Sequence, residues 1–174
     1  HGSTTMPSCR NDADAITAHD RCNQADHTKI TAAGAYVGSL EGFGNELNLA
    51  SGNACTGGAT PGPEGFVTIT VPASNRVSVN YRLFNGQPAA WFSTDCTSTQ
   101  PATCADGSSD DPSVLSWVNE TDAPVDVTLV LDAEGSSVID PHFLLEVGLE
   151  EVKVLRPADT CAAAGAMDPV APGT

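Results

Sequence analysis

Three stretches of the chain alternate strictly between apolar and polar residues. In Asn75–Phe84, Val77, Val79, Tyr81 and Leu83 fall on one side and Arg76, Ser78, Asn80 and Arg82 on the other. In Pro124–Ala133 the apolar set is Val125, Val127, Leu129 and Leu131, and in His142–Val152 it is Phe143, Leu145, Val147 and Leu149. A period of two predicts β-strands with one face in a core and the other in water. Shorter apolar runs add candidates at GAYVGSLE (34–41), NELNL (45–49), GFVTITVP (65–72), AAWFS (89–93) and VLSWVN (114–119). Between them lie TPGPEG, FNGQP, NETDAP and DAEGSS, whose Gly, Pro, Asn and Asp favour turns; FNGQP, set between two apolar runs, predicts a tight hairpin. Eight or nine short strands without a long helical pattern predict an all-β chain folded as an antiparallel β-sandwich. Only NDADAITAHDRC (11–22) reads as a short helix.

The length of 174 residues suits one domain. Residues 1–19 are read as a lead-in carrying the short helix, 20–156 as the sandwich, and 157–174, small and Pro-rich, as a loose tail. Seven Lys plus Arg against 22 Asp plus Glu leave a formal net charge of -15. Such a field repels nucleic acid and anionic lipid and attracts cations such as Ca²⁺. No stretch reaches the roughly 18 apolar residues of a membrane-spanning helix, and no signal peptide is visible, so the chain is read as a mature form. Six cysteines, an even number, point to an oxidising compartment, so a secreted, periplasmic or cell-surface protein is expected.

Cys96 and Cys104 stand close together in STDCTSTQPATCAD. A thioredoxin-like redox pair needs CxxC at a helix N-terminus, and structural zinc needs a second close pair; neither is present. The expected pairing is therefore a local Cys96–Cys104 clip, with Cys22–Cys55 tying the lead-in to the loop after NELNL and Cys9–Cys161 joining the two ends, within one chain or between two.

The order of GAYVGSLEGFGNELNL, ACTGGATPGPEGFVTITVPA, the Cys96/Cys104 segment, SVLSWVNETD and VDVTLVLDAEGSS…FLLEVGLEEV resembles the bacterial pre-peptidase C-terminal domain, in the cysteine-bearing form of secreted myxobacterial proteins. The resemblance covers roughly residues 20–155. It implies a jelly-roll-like β-sandwich without catalysis of its own, found beside exported enzymes, with some members binding protein or calcium. ADTCAAAGAMD near the C-terminal end is similar to the start of a further such module.

Candidate chemistry is sparse. Asp106, Asp110 and Asp111, interleaved with Gly and Ser, offer oxygens that Ca²⁺ would accept, as do Glu41, Asn45 and Glu46; either stretch also reads as a solvated acidic loop. His19, His27 and His142 lack the GxSxG or HExxH setting of a catalytic base or zinc ligand and read as surface or strand-edge residues. His1 could brace copper with its amine and ring, completed by His142, although HGS also reads as the end of a tag and linker. Asn119-Glu120-Thr121 fits both a glycosylation sequon and a strand-end turn, and Trp91 and Trp117 read as core residues. Three function classes follow. The first is a non-catalytic extracellular module binding a protein or polysaccharide, with calcium as its possible stabiliser. The second is a structural subunit of a surface layer or filament that self-assembles through its terminal segments. The third is a copper-dependent secreted enzyme using His1.

Overall fold

A computed structural model describes residues 13–23, 28–93, 96, 103–108, 110–135 and 140–153. Ten strands run in the order β1 (Asp14–Ala15), β2 (Lys29–Ile30), β3 (Gly34–Ser39), β4 (Gly65–Val71), β5 (Asn75–Asn85), β6 (Gln87–Ser93), β7 (Cys104–Asp106), β8 (Ser113–Val118), β9 (Val125–Glu134) and β10 (Asp140–Glu151). The three alternating stretches are β5, β9 and β10, the longest strands of the fold. They are also the best-paired: β10 lies between β3 and β5, and β9 between β4 and β6.

The strands form two five-stranded sheets, ordered β1-β3-β10-β5-β8 and β2-β4-β9-β6-β7. Counted from β3, the eight main strands are divided between the sheets as 1-8-3-6 and 2-7-4-5, which is jelly-roll connectivity. Pairing is antiparallel except where the two-residue strands β1 and β2 add in parallel to β3 and β4. The core is made by the inward residues of both sheets: Val77, Val79, Tyr81, Leu83, Phe143, Leu145 and Val147 from the first, and Val67, Ile69, Ala90, Phe92, Leu129 and Leu131 from the second. Apolar burial between the sheets, about 25 cal/mol per Å² removed from water, drives this packing.

Three expectations are corrected. The stretch 11–22 is not helical where described: Asp14–Ala15 is a strand, and His19 bridges to Phe66. Ile16 packs on the core and Ala18 is buried in it, so tertiary contacts override a local helical pattern. NELNL is not a strand; its leucines point into a second cluster, described below. FNGQP is not a hairpin, because β5 and β6 belong to different sheets and the turn carries the chain across the sandwich. The flanking runs each find better partners, β10 for β5 and β9 for β6, than they would in each other.

Candidate functional site

The two outer faces of the sandwich differ. On the second sheet, Phe66, Val130 and Trp91 form one cross-strand row, and Cys104 continues it on β7. This row would lie in water if the sheet were half-buried. Instead Leu47 and Leu49 from the 40–64 segment cover it, making a second apolar cluster with Cys22 and, at its margin, Cys55, Cys96 and Cys104. Two-sided burial explains why GFVTITV and AAWFS lack alternation: both faces of these strands are packed.

Two disulfides border this cluster: Cys22–Cys96 joins the lead-in to the chain beyond β6 and Cys55–Cys104 fastens the cover, with Cα separations of 5.5 and 5.6 Å. The expected Cys96–Cys104 and Cys22–Cys55 pairing is thus exchanged. The antiparallel register sets Cys104 opposite Trp91, on the covered face, where Cys55 arrives with the cover. Cys96 lies three positions beyond the end of β6, against the lead-in, and its sulfur is 3.0 Å from the Cys22 carbonyl oxygen. The expected Cys9–Cys161 bond lies outside the described residues.

Two buried acids also anchor the cover. Glu64 Oε1 accepts the backbone N–H groups of Glu46 and of Leu47, the latter at 2.6 Å. Asp132 Oδ1 accepts the Ala133 N–H at 2.6 Å, and Asp132 lies by the Thr60 hydroxyl, which itself accepts the Leu49 N–H at 3.0 Å. Both acids are fully buried, and each keeps one carboxylate oxygen, Glu64 Oε2 and Asp132 Oδ2, without a hydrogen-bond partner. Burial pushes the Asp132 carboxyl up to about 8, with the charge of Glu64 adding to the rise while Thr60 and the Ala133 amide oppose it. Burial likewise raises Glu64, against the pull of the Leu47 and Glu46 amides and with help from the Glu46 and Asp20 charges. The sequence did not single out either acid. The signal available was polar residues breaking otherwise apolar strands, PEGFV and VLDA.

No segment among the described residues covers the outer face of the first sheet. Arg76, Ser78, Asn80 and Arg82 of β5, Leu144, Glu146 and Gly148 of β10, and Val114 and Ser116 of β8 project there. A shallow depression of about 450 Å³ is lined by Ser78, Asn80, Val114, Glu146 and Gly148. Its floor is open because Gly148 carries no side chain: a Cβ there would stand 2.6 Å from Ser78 Oγ. Arg76 faces Glu150 at 3.8 Å, and Arg82 donates to the Asp110 carbonyl oxygen at 2.9 Å. Phe84 and Val114, 60% and 64% exposed, are the large apolar side chains most open to water among the described residues, and alternation places both on this face.

The sequence-derived metal candidates do not converge. Asp106 is exposed on β7, the Asp111 carboxylate takes the Ser108 hydroxyl at 3.2 Å, and Asp110 meets Arg82 through its backbone oxygen. Glu41 and Asn45 are exposed, and the Glu46 side chain faces Arg21 at 3.8 Å. Among the described residues no three His, Cys, Asp or Glu side chains are grouped to hold a metal ion. His142 is exposed and its Nδ1 lies 2.6 Å from Asp140 Oδ1, holding that carboxyl below its usual range. His1 and His27 lie outside the described residues. Asn119 serves a turn: its buried side chain donates to the carbonyls of Val71, Pro72 and Ala123 and accepts from the Thr121 N–H and hydroxyl. Trp91 is fully buried, though in the covered cluster, and Trp117 sits half-buried at the margin of the main core. No described helix is long and apolar enough to cross a membrane. No protein-family model matches this sequence, and no curated protein is significantly similar to it.

Proposed function

We propose that this chain is a non-catalytic extracellular β-sandwich module that binds a protein or polymer partner through the bare face of its first sheet. The observation that carries this reading is the asymmetry of the two faces. One is covered by 25 or so residues of chain fastened by the Cys55–Cys104 disulfide, while the other presents Phe84 and Val114 among spaced arginines, glutamates and small polar groups. Val114, opposite Asn80, and Phe84, four residues further along β5, are two separate apolar points that a partner lying along the face would bury. The four described cysteines are oxidised, which leaves no thiol nucleophile among them. Two disulfides suit an oxidising, extracellular setting, and the resemblance of residues 20–155 to the pre-peptidase C-terminal domain agrees with an accessory module.

The test uses the wild-type chain, a bare-face variant (Phe84→Ser with Leu144→Glu) and an opposite-side control (Lys29→Ala). Each is immobilised and exposed to secreted and cell-surface fractions of the producing organism. Retention of a component by wild type and control, lost in the bare-face variant, is the expected result. Equal retention by all three would place the contact elsewhere.

A further inference from the structure

Strand β8 closes one edge of the first sheet. One side pairs with β5 from Val118↔Arg76 to Ser113↔Tyr81; its other side has no strand partner among the described residues. Edge strands in monomeric proteins are usually guarded by a charged side chain, a proline or a bulge, because their outward N–H and C=O groups otherwise invite another chain. Within its own six residues β8 has none of these; Pro112 and the acids lie only beyond its ends. It reads Ser-Val-Leu-Ser-Trp-Val, six uncharged residues in a chain with 22 acids, and its pairing with β5 is unbroken.

Beside this edge lies a groove of about 500 Å³ lined by Thr103, Ser116, Trp117, Val118, Thr121 and Val125. Thr103 directly precedes β7, the edge strand of the second sheet, so the groove opens along the side where both sheets end. Trp117 sits at the core margin and is only half-buried, which leaves part of an indole available to an incoming side chain.

Charge decides between occupants. Asp110 and Asp111 precede the strand, and Glu120 and Asp122 follow it. A second copy pairing antiparallel, Ser113 against Val118, would set Asp111 beside Glu120 at both ends of the new ladder. Like charges in such positions destabilise the pair, and a net charge of -15 on each molecule adds to the repulsion. The same carboxylates attract a strand with lysine or arginine at its ends.

We propose that the open edge of β8, with the Trp117 groove beside it, takes up an extended polypeptide segment of another protein, apolar or β-branched at its centre and basic at its flanks, as a sixth strand of the first sheet. Main-chain hydrogen bonds hold such a segment, and the groove and flanking carboxylates select it. This rests on the reading of the chain as a protein-binding module and names the partner's chemistry.

The test titrates the full disulfide-bonded chain with two synthetic ten-residue peptides, Val-Thr-Val-Thr-Val-Thr flanked on each side by two lysines or by two glutamates. The lysine-flanked peptide is expected to bind one to one and slow hydrogen exchange at 113–118. It should weaken at least tenfold between 50 and 500 mM salt, and the glutamate-flanked peptide should bind at least tenfold more weakly. Val114→Lys with Ser116→Lys, two exposed positions that leave the core intact, should abolish the lysine-flanked peptide's binding. No binding at 1 mM, or binding without protection of 113–118, overturns the proposal. Protection of 113–118 that grows with protein concentration alone identifies a second copy as the occupant and also overturns it. If the bare-face variant loses its partner while neither peptide binds, strand addition fails and the module reading stands. Peptide binding with no bare-face dependence in the capture test leaves strand addition standing and removes the face from the module reading.

Discussion

Stability should fall as the pH rises from 5 to 8, and Asp132 should be the main cause. Its carboxyl is fully buried, and in the folded protein it is pushed up to about 8, against 3.8 for an unburied aspartate. The folded state therefore keeps a proton that the unfolded chain releases. A carboxyl raised in this way contributes stability that is complete below the unfolded value and is lost as pH climbs through the folded one. One extra proton in the folded state corresponds to a slope of about 1.4 kcal/mol per pH unit between roughly pH 4 and 8, flattening above. Between pH 5 and 7 the expected loss is about 3 kcal/mol, a large part of the roughly 5–15 kcal/mol that stabilises a typical domain. Glu64, also raised, adds in the same direction. Asp126, lowered by its hydrogen bonds from Lys29 and Thr70, acts the opposite way, losing its contribution only in acid, below the range measured.

Asp132→Asn supplies the control. The amide oxygen can still accept the Ala133 N–H, and no ionisable group is left at the position. Urea unfolding at pH 5, 6, 7 and 8, with disulfides intact, reads the result through Trp91, fully buried beneath the cover. The variant should lose most of the slope and, at pH 8, be more stable than wild type by about 2–4 kcal/mol. A wild-type profile that is flat across this range, or an Asn variant with an unchanged slope, would refute the assignment.

Replacing Cys55 and Cys104 by serine opens a bridge spanning 49 residues of sequence, and chain entropy predicts a loss of about 4 kcal/mol; chemical denaturation, with limited proteolysis within 50–60, measures it. Gly38→Ala should cost about 1–3 kcal/mol, because its Cβ would stand 2.5 Å from the Phe143 ring and 2.9 Å from the Ile16 carbonyl oxygen. Gly148→Ala meets only the exposed Ser78 hydroxyl, which can turn aside, and thermal melting should change by less than about 0.5 kcal/mol equivalent. Asn119→Ala removes the amide that serves the Val71, Pro72 and Ala123 carbonyls and the Thr121 N–H, leaving Pro72 to the Asn75 N–H and Ala123 to the Thr121 hydroxyl, and should cost about 2–3 kcal/mol in urea titration.

What the amino-acid sequence determines alone is what depends on near neighbours. Alternation in 75–84, 124–133 and 142–152 identifies β5, β9 and β10 and the inward side of each, because side chains of a strand point alternately to opposite faces whatever lies across the sheet. Together with the turn residues it is enough for an all-β sandwich. The tertiary structure alone decides which strand meets which. FNGQP has the chemistry of a hairpin, yet its flanks part company because β9 and β10 offer longer partners. Cys96 and Cys104 are neighbours in sequence, but an antiparallel register sends one to the lead-in and the other to the cover. The buried acids follow the same rule: Glu64 and Asp132 look like surface residues until Leu47, Leu49 and Thr60 fold over them. The first face and the β8 edge, both uncovered among the described residues, are likewise differences between two sheets, and a difference between sheets exists only once both have formed.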